Sequence, residues 1–206
     1  MSTSSRVLLL NLGSLTVGEQ DFGLPHLVAL GSYLQSRLPV RVEILDLGYE
    51  GSDLRALLAE IEHLGPLLLA GVSCYSSYDH RRARAVGVAL RRRFPALPLV
   101  VGGYHPSALP GALTGAAGPF DCAVIGEGER PLENAVRTLL GGGPLDPAVG
   151  PEVVEDLDQL PPYDWSLLAR YWPRAGQLGR KLQIYLSRGC PFRCTFCMER
   201  CKAAHR

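Results

Sequence analysis

"PLLLAGVSCYSSYDHRRARAVGVALRRRFPALPLVVGG", residues 66–103, decides the fold. From Pro66 to Cys74 the run is almost continuously apolar, the mark of a strand buried on both faces rather than one. Asp79 to Phe94 then carries apolar residues at helical spacing with arginines between them. "LPLVVGG" at 97–103 is a second apolar strand ending in glycine. Strand, helix and strand in direct succession imply a right-handed crossover between parallel strands. The basic run "DHRRARAVGVALRRRF" reads as the solvated face of that helix rather than as a site for a polyanion.

The same alternation extends in both directions. "RVLLLNL" at 6–12 is a strand, Leu24 to Leu38 a helix, "VRVEILDL" at 40–47 a strand and "DLRALLAEIEHL" at 53–64 a helix. Downstream come a short helix near 107–114, a strand and its loop in "FDCAVIGEGE" at 120–129, and a helix in "RPLENAVRTLL" at 130–140. The expectation is an α/β fold, a doubly wound parallel five-stranded sheet over residues 1–140, with its ligand crevice at the carboxyl ends of the strands. At 141 the composition turns to glycine, proline and acids without apolar period, which reads as a linker over 141–180. "KLQIYLSRGC" at 181–190 is one more strand, feeding a cysteine-bearing loop.

Bulk properties narrow the function. Of 206 residues 47% are hydrophobic and 20% charged, enough to bury a core. Lysine and arginine total 21 against 20 acids, a formal charge of +1, so no long-range field draws in nucleic acid or an anionic membrane. "MSTSSRVLLLNLG" has too short an apolar run for a signal peptide, and no stretch has the ~18 apolar residues of a membrane span. A cytoplasmic protein is expected, and there clustered cysteines suggest a metal rather than disulfides.

The strand-end loops are the candidate site. They read "NLGSLTVG", "SCYSSYDH", "GGYHPSALP" and "GEGER". Gly102, Gly103, Gly126 and Gly128 either make tight turns or let a ligand approach the backbone, and glycine alone favours the turns. "GEGER" lacks the spacing of a GxGxxG fingerprint and follows the last strand, which argues against NAD. His105 is a candidate metal ligand, general base or capping residue. Tyr75, Tyr78 and Tyr104 are candidates for the crevice wall, although packing accounts for them equally well. Cys74 and Cys122 fall within strands and read as buried, inert thiols.

"SRGCPFRCTFCMER", residues 187–200, places Cys190, Cys194 and Cys197 as C-x3-C-x2-C, with Cys201 following. Three thiolates on one loop can bind a single inorganic centre, and on a four-iron cluster would leave one iron open. Phe192 and Phe196 would shield it from water. Zinc, a closed cluster using Cys201, and free thiols remain alternatives, though structural zinc usually pairs two C-x2-C knuckles.

"CPFRCTFC" resembles the cluster motif of the radical S-adenosylmethionine (radical SAM) enzymes. "VVGGYHPSALP", "FDCAVIGEGERPLENAV" and "VEDLDQLPPYDW" are similar, in that order, to segments of the cobalamin-dependent (B12-binding) class of that family. The resemblance covers essentially the whole chain. It implies a Rossmann-like cobalamin-binding domain followed by the start of a partial β/α barrel over 181–206. It implies a [4Fe-4S] cluster on Cys190, Cys194 and Cys197, S-adenosyl-L-methionine on the open iron, and radical chemistry that includes methyl transfer from methylcobalamin. Ser73, Gly102, Gly103, His105, Gly126 and Glu127 would lie along the corrinoid and its tail. An electron donor such as flavodoxin or ferredoxin and a small-molecule substrate are implied as partners.

Two departures qualify the resemblance. The D-x-H-x-x-G loop that supplies a lower cobalt ligand in some cobalamin domains is absent after the first strand, and "YDHRRA" has the wrong spacing and place. A base-off corrinoid without a histidine ligand is therefore implied. Family members also continue with a barrel of roughly 200 residues, so a fragment, a truncated frame or a chain completed by a partner is expected. A non-catalytic corrinoid module and a closed-cluster electron-transfer protein are the competing readings. Carriers usually need the lower histidine, however, and electron transfer alone leaves the α/β domain without a role.

Overall fold

The computed structural model of the protein describes residues 5–13, 21–22, 24–48, 53–173, 181–192 and 194–197. Cys201 and most of the loop after the first strand lie outside the described residues. In chain order the strands are β1 (Ser5–Asn11), β2 (Asp21–Phe22), β3 (Val40–Asp46), β4 (Leu69–Ser73), β5 (Leu99–Gly102), β6 (Cys122–Val124), β7 (Ala148–Val149) and β8 (Lys181–Leu182). The helices are α1 (Pro25–Arg37), α2 (Leu54–Leu64), α3 (His80–Arg93), α4 (Tyr104–Ala108) and α5 (Glu129–Leu140). Among the described residues no helix is long and apolar enough to cross a membrane.

Six strands form one parallel sheet in the order β3-β1-β4-β5-β6-β7, and β2 pairs with β8 in a separate parallel ribbon. The order reverses between β1 and β4, the switch point of a doubly wound fold. Both sheet faces are covered, which is why β1 is apolar without alternation. Val7 and Leu9 enter one core with residues of α1 and α5, while Leu8 and Leu10 enter the other with residues of α2 and α3. On α3, Ala83, Val86, Gly87 and Leu90 face inward. Its terminal arginines face out, where they suit the negative helix end. Arg91 and Arg93 pair with Asp121 and Glu62 at 2.6 and 2.5 Å.

The structure departs from the sequence reading in three places. The sheet has six strands, not five, because Ala148–Val149, inside the expected linker, pairs with β6 in register Ala123↔Ala148. The short helix starts at Tyr104, directly on Gly103, instead of near 107. The strand expected over 181–190 is two residues long, and Ile184, Tyr185 and Leu186 beyond it are exposed.

The stretch after β7 also contributes to the core. Leu168 and Tyr171 are buried against α1 and β3. The Asp46 amide donates to the Tyr171 hydroxyl at 2.9 Å, and the Asp164 amide donates to Ser32 Oγ at 2.8 Å. Helix α1 is thus held between the sheet and this strap, and they approach closely at Gly31, where a Cβ would come within 2.7 Å of Leu167 Cδ1 and that side chain would have to shift. Composition hid the strap because its apolar residues sit in a single 3₁₀ helix, Trp165–Tyr171, too short for a period to show.

Helices α1 and α5 are locked by a buried polar network. The Tyr33 hydroxyl donates to Glu133 at 2.8 Å, and Arg137 donates to the same carboxylate at 2.7 and 3.0 Å. Burial opposes the Glu133 charge, but Arg137, Tyr33 and Arg37 together hold its pKa below the usual carboxylate value.

Leu168→Ala is expected to lower stability by about 2–5 kcal/mol in urea unfolding, as for a fully buried leucine. A loss under about 0.5 kcal/mol would mean that the strap does not belong to the core. Because the Glu133 pKa is depressed in the folded state, its contribution is complete above the unfolded value of about 4.3 and is lost as pH falls through the folded value. Urea midpoints measured from pH 6 downward should therefore fall more steeply for the parent than for Glu133→Gln.

Candidate functional site

The carboxyl ends of β4, β5 and β6 open into a cavity of about 370 Å³ between the sheet and helices α1 and α5. Leu9, Leu27, Val100, Val124 and Leu132 give it an apolar lining. Ser73, His26, Tyr104, Glu127 and Glu129 add polar groups, and Tyr185, Ser187, Arg188 and Gly189 close one side. A mostly apolar, preformed concavity with a few convergent polar groups is the usual form of a small-molecule site.

Local sequence explains the shape. Gly103 has φ +119°, and a Cβ there would lie 2.4 Å from the Cys74 carbonyl oxygen, so β5 can turn into α4 only with glycine. Ser107 on α4 ties two strand ends together, since its hydroxyl donates to the Gly103 carbonyl at 2.7 Å and accepts from the Gly126 amide at 2.9 Å. Ser73 Oγ lies 3.4 Å from His26 Nε2.

Of the residues singled out in the sequence, Ser73, Gly102, Gly103, Gly126 and Glu127 line this cavity together. His105 does not. It lines a neighbouring cavity of about 300 Å³ with Tyr75, Ser77, Tyr104 and Cys197. Both of its ring nitrogens are engaged, Nδ1 with Ser77 Oγ at 3.0 Å and Nε2 with His80 Nδ1 at 2.8 Å. Burial, then His80, push its pKa below the ordinary value. Tyr75 and Tyr104 stand edge to face, with ring centroids 5.1 Å apart, and line both cavities, whereas Tyr78 is 83% exposed.

The sequence reading missed Ser107, His26 and Arg188. Arg188 reaches Glu129 at 2.6 Å and Glu127 at 3.5 Å, and all three side chains are largely buried. Burial opposes its charge, but Glu129 and Glu127 outweigh it and raise the guanidinium pKa. The available signal was an arginine two positions before Cys190 and two glutamates in "GEGE", but nothing in the sequence joins positions so far apart.

The described thiols fall into two groups. Cys74 and Cys122 are fully buried as expected, and burial pushes their pKa up to about 12 and about 11, which disfavours the reactive thiolate. Cys190 and Cys197 are partly accessible and Cys194 is exposed, on a turn closed by the Cys197 amide donating to the Cys194 carbonyl at 3.2 Å. Three soft donors on one loop suit iron–sulfur chemistry. Among the described residues, however, no three His, Cys, Asp or Glu side chains are gathered to hold a metal. Phe192 and Phe196, expected as shields, are 70% and 89% exposed.

Known proteins agree with this geometry. The bacteriochlorophyllide d C-8(2)-methyltransferase of Chlorobaculum tepidum is 32% identical over 124 residues, which are 56% of this chain and 25% of that protein. The radical S-adenosylmethionine methyltransferase TsrM of Kitasatospora setae, solved with cobalamin and a [4Fe-4S] cluster, superimposes with a TM-score of 0.70 at 19% identity, over 98% of this chain and 43% of that one. The cobalamin-dependent S-adenosylmethionine radical enzyme OxsB, solved with aqua-cobalamin and S-adenosylmethionine, gives 0.71 at 20% identity, over 94% of this chain and 28% of that one. At these identities the two structures attest the fold, and the chain spans a quarter to less than half of each relative's length. The residue pattern of the B12-binding domain matches residues 26–136, more than half of the chain. Sheet order, strand-end cavity and residue pattern coincide, and the chain belongs to the B12-binding domain family.

Proposed function

We propose that the chain binds cobalamin at the ends of β4, β5 and β6, carries a [4Fe-4S] cluster on Cys190, Cys194 and Cys197, and serves a radical SAM methyltransferase or rearrangement enzyme. The cavity supports this most directly, because it draws five anticipated residues together at the strand ends of a B12-binding domain. The apolar lining suits the base of the corrinoid tail, and glycine at 102, 103 and 126 lets polar tail atoms approach the backbone. Ser73 and Glu127 provide a hydroxyl and a carboxylate for tail hydroxyl and amide groups. His105, with both nitrogens already engaged, is not placed to bind cobalt.

When bound, cobalamin supplies a methyl carrier, and the cluster supplies the electron that cleaves S-adenosylmethionine. The protein's own part is to hold the tail, exclude water with the α1 and α5 walls, and present three thiolates beside the cavity. A flavodoxin or ferredoxin as electron donor and a small-molecule substrate complete the proposal.

Gly102 provides a selective test, because a Cβ there meets nothing closer than Val124 Cβ at 3.5 Å. Gly102→Leu should keep the fold but weaken hydroxocobalamin binding about tenfold or more, measured by absorbance titration. Electron paramagnetic resonance of the bound Co(II) form should lack nitrogen triplet splitting. Equal affinity for parent and variant would place the tail elsewhere, and triplets in the bound form would refute base-off binding. For the cluster, anaerobic reconstitution should give about four irons per chain. Alanine at Cys190, Cys194 or Cys197 should abolish the charge-transfer band, while Cys201→Ala should keep it. Equal loss with Cys201→Ala would favour a closed cluster.

A further inference from the structure

We propose that Arg188 is a positioning residue that clasps the thiol-bearing segment onto the cofactor cavity, so that filling the cavity orders the cysteine loop. The inference rests on the cobalamin reading above and adds a physical link between its two halves.

Arg188 stands two positions before Cys190, and two residues of chain reach no more than about 7 Å. Holding Arg188 therefore keeps the Cys190 Cα within that distance of the Arg188 Cα, and limits how far the first thiol can stray from the domain. Its partners, Glu127 and Glu129, flank Gly128 where the loop after β6 enters α5, and they line the cavity themselves. That loop is anchored at the Gly126 amide by Ser107, which also holds the Gly103 carbonyl. A continuous chain of bonded groups therefore runs from the ends of β5 and β6, through the two carboxylates, to the residue ahead of the cysteines.

The rest of the segment is loosely held. Ile184, Tyr185 and Leu186 are 55%, 49% and 89% exposed, and the Cys197 to Cys194 hydrogen bond is internal to the loop. The ion pairs of Arg188 carry it to the α/β domain. Without that guanidinium two largely buried carboxylates would lose a cation that both of them meet, so the open state is costly for the domain as well as for the segment. Because Tyr185, Ser187, Arg188 and Gly189 form part of the cavity wall, a ligand seated there meets the clasped segment and not a released one. By linkage, whatever favours the closed wall is favoured by it.

Hydrogen exchange by mass spectrometry tests this on the full chain, with hydroxocobalamin as probe. In the parent, hydroxocobalamin should slow exchange across residues 185–190 several-fold. In Arg188→Ala without ligand, exchange there should rise roughly tenfold or more while β1 and β4 stay protected. Protection by hydroxocobalamin should then vanish at 185–190 even at concentrations that fill the cavity. Arg188→Lys keeps the charge without the fork and should fall between the two. If Arg188→Ala loses protection in β1 and β4 as well, the arginine is a general stability element and the proposal is overturned unless Arg188→Lys still separates the segment from the core. Uptake of hydroxocobalamin with no protection at 185–190 overturns the coupling and leaves the cofactor reading standing. No uptake by the parent overturns both.

Discussion

Val7, Leu8, Leu9 and Leu10 of β1 are each at most 2% exposed, and they point alternately into two separate cores. A strand buried in this way can exist only if helices cover both faces of its sheet, and parallel connections place them there. Parallel strands in turn release all their carboxyl ends at one edge. The loops after β4, β5 and β6 must then gather, and with them Ser73, Gly102, Gly103, Gly126 and Glu127. The site follows from the burial of one strand.

The cavity wall is rigid for a related reason. Helix α1 has the sheet on one side and the strap around Leu168 and Tyr171 on the other, with Ser32 and Gly31 fitted to the strap. The network of Tyr33, Glu133 and Arg137 joins α1 to α5 across the core. The helical side of the pocket, locked in this way, has less to order when a ligand binds than the wall formed by Tyr185, Ser187, Arg188 and Gly189.

The thiol segment is built on the opposite principle. It exposes Leu186, Phe192 and Phe196, gathers no ligand set among the described residues, and adds the ion pairs of Arg188 to the wall contacts of Tyr185, Ser187 and Gly189.

Apolar runs and helical periods determined the strand–helix alternation, the two-sided burial of the sheet and the edge at which its loops emerge, because each is a local pattern of neighbouring residues. The spacing of Cys190, Cys194 and Cys197 was legible for the same reason. Tertiary structure alone decided that Ala148–Val149 extends the sheet, that the strap belongs to the core, that His105 turns to Ser77 and His80 and away from the main cavity, and that Arg188 meets Glu127 and Glu129. Each of these is a pairing between residues remote in sequence, or a choice between two cavities a few ångströms apart. Such contacts depend on where the packed elements come to rest, and no local period encodes that.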